Sequence, residues 1–342
     1  MREDRNAPRR QNVKGATNRP EETRMSDLPK TVEIIEVGPR DGLQIEPRIL
    51  TTSDKVRLID ALADAGLKEI EAGSFVNPKA VPQMADTNEL FDMLNRRPGV
   101  RYRALWLNPK GLERALSNGK VDIDGKLTIT ASETFIKRNT NRSIDETFAE
   151  MPAWIQRYRD AGIATNSIGV MAAFGCNFEG YIPEERVVGL VARAMQVMAD
   201  NGCKLENLSL ADTMGWGSPA QMKSLVGKIR NKWPDLHVKL HLHDTRGCAV
   251  ANAVAAMEVG VSEFDSSVGG LGGCPFAGHK GAAGNICTED LAFACGEMGV
   301  ETGIDLDALV EAAKLAEDLV GHQLPGKVMK GGTLTRFKDH HA

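Results

Sequence analysis

The sequence predicts an α/β fold, a (β/α)8 barrel with an additional C-terminal helical segment, and three observations carry that reading. At 342 residues the chain has a length at which an α/β barrel still forms one unit. Along it one device recurs: an amphipathic stretch closes on glycine, a short link follows, and an apolar run rich in Val, Ile or Leu comes next. Seven such glycines (Gly66, Gly99, Gly119, Gly162, Gly202, Gly260 and Gly299) and a stop at Trp233-Pro234 make eight helix-to-strand returns. A doubly wound sheet would show similar cycles, because counting returns does not prove closure.

Taken in order, residues 1–30 are polar, mixed in charge and without periodicity, which predicts a disordered arm. The barrel is expected over 31–300, opening with the strand "TVEIIEVG". Ser53 is expected to cap the helix "SDKVRLIDALADAG", whose Val56, Ile59, Leu62 and Ala63 share one face. The second strand ends in "IEAGSF", and a basic loop, "IKRNTN" at 136–141, follows the fourth. Pro183 with Glu184 and Glu185 opens "PEERVVGLVARAMQVMADNG", acidic residues being favourable in a helix's first turn. The sixth strand ends "LADT", the seventh is "HVKLHLHDT", and the eighth leads into "GGLGGCPFAGHKGAAGN". Residues 301–342 form the C-terminal helix and tail, with the helix at 304–321 capped by Asp305 and closed by Gly321.

Composition narrows the partners. A net charge of −4 with both signs interspersed offers no footprint for nucleic acid or an anionic membrane. No apolar stretch approaches the roughly 18 residues of a membrane span, and no signal peptide is recognisable. Glu3, Asp4, Glu21 and Glu22 are wrong for an acid-poor transit peptide, so a cytoplasmic location is expected. The six cysteines include no C-x-x-C pair, which excludes a disulfide framework or zinc ribbon.

Barrel enzymes place active groups at the C-terminal ends of their strands, which directs attention to "HLHD" at 241–244. Residues two apart in a strand share a face, so His241 and His243 both project into the barrel mouth while Leu242 points outward. If the barrel closes, Asp41 after strand one and Asn285 after strand eight flank them. This mixed nitrogen and oxygen set suits Mg2+, Mn2+ or another divalent ion better than structural zinc, and it suits non-haem iron as well.

"EVGPRDGLQ", "SFVNPKAVPQM", "LADTMGWGSP", "HLHDTRGCAVAN", "GGLGGCP" and "GNICTED" occur in this order, and through them the chain from 31 to 330 resembles the 3-hydroxy-3-methylglutaryl-CoA lyase family. The resemblance implies metal-assisted retro-Claisen cleavage of an acyl-CoA, with CoA entering as part of the substrate. It implies Asp41, His241, His243 and Asn285 as metal ligands and Arg40, Asp41, His241 and Cys274 as catalytic. Arg40 would stabilise the thioester enolate and Cys274 would transfer a proton to the acyl carbanion. Gln44, Glu71 and Asp212 would orient the ligands or bind substrate, and Asn139, with Lys137 and Arg138, would meet the CoA phosphates. A homo-oligomer, a dimer or larger, is expected.

Asn177 replaces a usual proline in "FGCNFEG", and two further departures from the family pattern border the acyl pocket: Ile45 gives "GLQIE" where "GLQNE" is usual, and the stretch from Cys274 to Asn285 is longer, with His279 and Lys280 in the added part. They leave open a related 3-hydroxy-3-carboxyalkyl-CoA as substrate. A condensing synthase of the isopropylmalate or homocitrate kind would normally carry "RDGEQ" and lack the "GLGGCP" cysteine, so Leu43 and Cys274 argue against it. A catalytically silent barrel would be expected to lose a ligand or Arg40, and none is lost.

Overall fold

The computed structural model describes residues 28–272 and 284–334. Residues 1–27 of the N-terminal arm, and Cys274, His279 and Lys280, therefore lie outside the described residues. Eight strands form one parallel sheet: β1 Glu33–Glu36, β2 Glu69–Ser74, β3 Arg101–Leu105, β4 Lys126–Thr130, β5 Ser167–Met171, β6 Asn207–Asp212, β7 His237–Leu242 and β8 Glu263–Ser266. Their order is β3-β2-β1-β8-β7-β6-β5-β4. That order is a cyclic sequence opened between β3 and β4, and it contains no reversal of the kind a doubly wound sheet requires. The fold is the (β/α)8 barrel, with its seam at β3 and β4. Along the seam the segment before β4 lies against β3, where Asp122 N donates to Tyr102 O at 2.9 Å and Tyr102 N to the Asp122 carboxylate at 2.6 Å.

The helices are α1 Thr52–Asp64, α2 Thr87–Met93, α3 Pro109–Asn118, α4 Glu133–Thr140, α5 Ile144–Asp160, α6 Glu184–Asp200, α7 Pro219–Lys232, α8 Ala249–Met257, α9 Thr288–Glu297, α10 Leu306–Val320 and the short α11 Val328–Gly331. Among the described residues no helix is long and apolar enough to cross a membrane. The seven return glycines all have positive φ. Gly66 shows why: a Cβ there would lie 2.7 Å from Gly303 O, so both its backbone and its neighbour exclude a side chain.

Three local expectations need correction. The eighth return, after Gly299, leads to no barrel strand; Glu301 bridges Thr31, and Val32 N donates to Glu301 O at 2.9 Å beside the start of β1. The α1 cap is Thr51, extended at φ −67° and ψ 154°, whose hydroxyl accepts from Asp54 N; Ser53 lies inside the helix. Residues 136–140 belong to α4 and not to a loop: the Ser132 hydroxyl caps it by accepting from Phe135 N, Phe135 and Ile136 are buried, and Asn141 closes it at φ 57°. Asp305 caps α10 by accepting from Asp307 and Ala308 N, and Gly321 ends it at φ 80°. That helix spends its apolar face within the chain, burying Leu309, Ala312, Ala313, Ala316, Leu319 and Val320.

The apolar core sits between sheet and helices, where Ile34, Ile70, Leu208, Leu210, Leu240, Leu242 and Phe264 are at most 3% exposed. Inside the barrel, where stacked branched apolar residues are usual, this chain places charge. Glu69 receives both Arg101 and Arg103, and Lys239 pairs with Asp265 at 3.1 Å.

Candidate metal centre and active site

The end of β1 runs into a tight turn, Gly38–Gly42, that carries Arg40 and Asp41. A buried carboxylate anchors it. Glu36 accepts from Gly38 N at 2.7 Å, from Val268 N at 3.0 Å and from the Thr288 hydroxyl at 2.7 Å, tying the turn to the segment after β8. A Cβ on Gly38 would stand 2.6 Å from the Glu36 carboxylate and 2.7 Å from the Ser267 hydroxyl, so the approach requires glycine. Burial pushes the Glu36 carboxyl up to about 7.

His241 near the end of β7 and His243 just beyond it point the same way, their Nε2 atoms 3.1 Å apart. Asp41, His241 and His243 each offer a ligand atom within 4.8 Å of the others. Asn285 joins them: its Nδ2 donates to Asp41 Oδ2 at 2.7 Å, and it forms a β-bridge with His243. All four sequence candidates for metal ligation thus converge on one place.

Around this cluster, Arg40 Nη1 donates to Asp41 Oδ1 at 2.5 Å and its Nε to Glu71, while Gln44 Nε2 donates to Asp41 Oδ1 at 2.9 Å. Burial alone would raise the Asp41 carboxyl, but Arg40, His241, His243 and the Asn285 amide outweigh it and hold the group below its ordinary value. Burial lowers and the Glu71 and Asp41 carboxylates raise the Arg40 guanidinium, with a net rise. Burial, and then His241, drives the His243 imidazole down to about 3, so it stays neutral, with a lone pair on one ring nitrogen. His243 Nδ1 and Asn285 Oδ1 are buried without a hydrogen-bond partner. Two facing ring nitrogens share at most one proton between them, and beside them sit a carboxylate and an orphaned amide oxygen. This donor set fits a divalent cation that takes mixed nitrogen and oxygen ligands.

A cavity of about 510 Å3 opens over the cluster, lined by Arg40, Asp41, Gln44, Glu71, His241 and His243, with Ile45 and Asn139 also on its wall. Asn139 is exposed on α4. Asp212 does not line this cavity: its oxygens accept from Trp216 N at 2.7 Å and Gly217 N at 2.9 Å, bracing the turn after β6, and burial raises it to about 6. The turn "TMGWG" leaves backbone N–H groups that need an acceptor, which was the signal for this role.

Sequence reasoning missed Asp265 on β8, whose Oδ2 lies 3.2 Å from His241 Nδ1, and Lys239, whose Nζ lies 3.1 Å from Asp265 Oδ1. The signal was present. Lys239 precedes His241 by two residues and Glu263 precedes Asp265 by two, the period of one strand face.

A family profile described as HMGL-like matches residues 31–316. The mitochondrial hydroxymethylglutaryl-CoA lyase of Rattus norvegicus is 42% identical over 304 residues, 89% of this chain and 90% of that protein. Among solved structures, the HMG-CoA lyase of Bacillus subtilis superposes with a TM-score of 0.81 at 37% identity, covering 89% of this chain and 98% of that one. An HMG-CoA lyase of Acinetobacter baumannii, in complex with coenzyme A and 3-methylmalate, gives a TM-score of 0.79 at 39% identity, covering 89% and 96%.

Proposed function

The chain belongs to the HMGL-like family, and on that premise we propose that it is a carbon–carbon lyase cleaving 3-hydroxy-3-methylglutaryl-CoA to acetyl-CoA and acetoacetate. The observation that carries the mechanism is the convergence of Asp41, His241 and His243 within 4.8 Å, with Arg40 donating to the same Asp41.

Asp41, His241, His243 and Asn285 would hold a divalent ion, Mg2+ or Mn2+. When bound, such an ion acidifies the substrate's tertiary hydroxyl and fixes its pose. The hydroxyl would pass its proton to a carboxylate of the site, Glu71 on the cavity wall; the bond between the hydroxyl-bearing carbon and the thioester's α-carbon would break, its electron pair passing into the acetyl-CoA enolate while the alcohol carbon becomes the ketone of acetoacetate. Arg40 is held at the cavity wall by Glu71 and Asp41, where fixed positive charge favours the negative charge that develops on the thioester oxygen. Because its partners stand on β2 and on its own turn, the guanidinium reorganises little as that charge appears. Cys274 is assigned the proton that completes acetyl-CoA, on the family resemblance alone. Asn139 and the basic end of α4, with Lys137 and Arg138, would receive the CoA phosphates at the rim. Ile45 on the wall makes a larger 3-hydroxy-3-carboxyalkyl-CoA a second substrate to test.

Acetoacetate release from this thioester, measured with Mg2+ or Mn2+ and again with chelator, tests the reading. Cleavage should need the metal and should vanish in His243→Ala. Undiminished turnover in chelator, or in that variant, would overturn the mechanism, and no cleavage by the metal-supplied parent would overturn the function.

A further inference from the structure

The two histidines of the cluster are not equivalent, and the difference lies inside the barrel. His241 has a carboxylate behind it, Asp265 Oδ2 at 3.2 Å from Nδ1, whereas His243 Nδ1 is buried and has no partner. Their Nε2 atoms face each other at 3.1 Å, so in the protein without metal one ring must present a proton there and the other a lone pair. We infer that Asp265 is a positioning residue that keeps the His241 proton on Nδ1, so that Nε2 always turns its lone pair toward Asp41 and His243. The inference rests on the metal-dependent reading above and assigns to Asp265 a role in building that site.

Backbone pairing makes this contact obligatory. In the parallel ladder between β7 and β8, Asp265 is the register partner of His241, and Glu263 is the partner of Lys239. Side chains two apart share a face, so Lys239, His241 and Asp265 are all directed inward from adjacent strands. Lys239 is 8% exposed, and its ammonium stands 3.1 Å from Asp265 Oδ1, an ion pair outside hydrogen-bond geometry. The carboxylate is thereby pinned at one oxygen and left free to accept from imidazole at the other. Beside that ammonium the carboxylate is an anion, which can only accept. An acceptor-only group facing Nδ1 requires the hydrogen to sit on that nitrogen. Carboxylates that hold a ligand histidine in this way typically contribute a factor of about 10 to 100 in metal affinity.

The test uses the full-length protein and two readouts independent of turnover. Mn2+ titration followed by electron paramagnetic resonance should show Asp265→Asn binding about 10- to 100-fold more weakly than the parent, circular dichroism confirming that the variant is folded. Long-range nitrogen-15 correlation of the metal-free, histidine-labelled parent should show His241 protonated on Nδ1; this needs no variant, and so decides the matter even if Asp265→Asn does not fold. A folded Asp265→Asn with Mn2+ affinity within about twofold of the parent leaves Asp265 as a mere partner of Lys239 and overturns the inference. A parent His241 protonated on Nε2 overturns it equally. A parent that binds no Mn2+ at all overturns the metal reading instead, while the tautomer measurement still judges Asp265.

Discussion

Glu36→Gln should stabilise the protein above neutrality and leave it little changed in mild acid. Glu36 is fully buried and its carboxyl is pushed up from an ordinary 4.5 to about 7, first by burial and against the hydrogen bonds from Thr288, Val268 and Gly38. Between those two values the unfolded chain has released the proton and the native chain has kept it. The native state then binds more protons, so stability is fully present below 4.5 and is lost as pH rises through about 7. At about 1.4 kcal/mol per pH unit, a gap from 4.5 to about 7 comes to roughly 3 kcal/mol once both states are ionised. Glutamine avoids that loss because its amide reproduces the network. Its oxygen accepts from Gly38 N and Val268 N, and its NH2 donates to Thr288 Oγ1, whose hydroxyl turns to Ser266 Oγ at 2.8 Å. Urea unfolding of both proteins at intervals from pH 4.5 to 8.5, with metal removed, gives the difference curve directly. Glu289, also raised to about 7, titrates in the same window and its charge adds to the Glu36 shift, so both proteins lose stability there and the parent loses more. The difference should grow in favour of the variant through the window; parallel stability curves would refute the reasoning.

Arg40→Gln should lower kcat by about 10² to 10³ with a smaller change in KM, because the lost charge acts on the developing enolate; steady-state kinetics at saturating Mg2+ separates the two. Thr51→Ala should cost about 1 kcal/mol through the lost α1 cap, whereas Ser53→Ala should stay within about 0.5 kcal/mol, as thermal or urea unfolding will show. Ser209→Leu projects bulk into the cavity from β6, away from the ligands, and should raise KM while Mn2+ affinity is unchanged. Equal losses in both would mean that cavity and ligand cluster are not separable.

The fold was legible because helix-to-strand returns need a left-handed residue and glycine supplies it, and the strand order then excluded the doubly wound alternative. The two-residue period of a strand likewise joined His241 to His243, and closure brought Asp41 and Asn285 to them. What stayed hidden was set by partners rather than by pattern. Thr51 and Ser53 are equally good caps by type, and only the extended backbone at Thr51 decides between them. The turn after Asp212 announces backbone N–H groups in need of an acceptor, but only the folded turn shows that those of Trp216 and Gly217 occupy both its oxygens. For Asp265 the strand period gave the face but not the partner, because its contact with His241 belongs to a register that exists only once β7 and β8 lie side by side.

The charged interior has a direction that explains how one barrel can hold ligands rigidly and still admit a large substrate. From β7 round to β3, carboxylates lace each strand to the next. Asp265 joins β8 to His241 on β7, Glu36 joins the β1 turn to the end of β8, Glu71 on β2 holds Arg40 after β1, and Glu69 on β2 receives the two arginines of β3. Every proposed ligand and Arg40 stand within this arc. On the opposite wall, β4 to β6 turn mostly small groups to the cavity, Thr128, Gly169, Ser209 and Ala211, with Val170 and Met171 larger but apolar and Lys126 the charged exception. Gly169 is itself constrained, since a Cβ there would lie 3.0 Å from the Lys126 side chain. Charge pairs crosslinking adjacent strands leave the ligand side few alternative arrangements, while small residues opposite them leave volume. The division places the cost of buried charge where preorganisation is needed and keeps it off the wall that an acyl chain must pass.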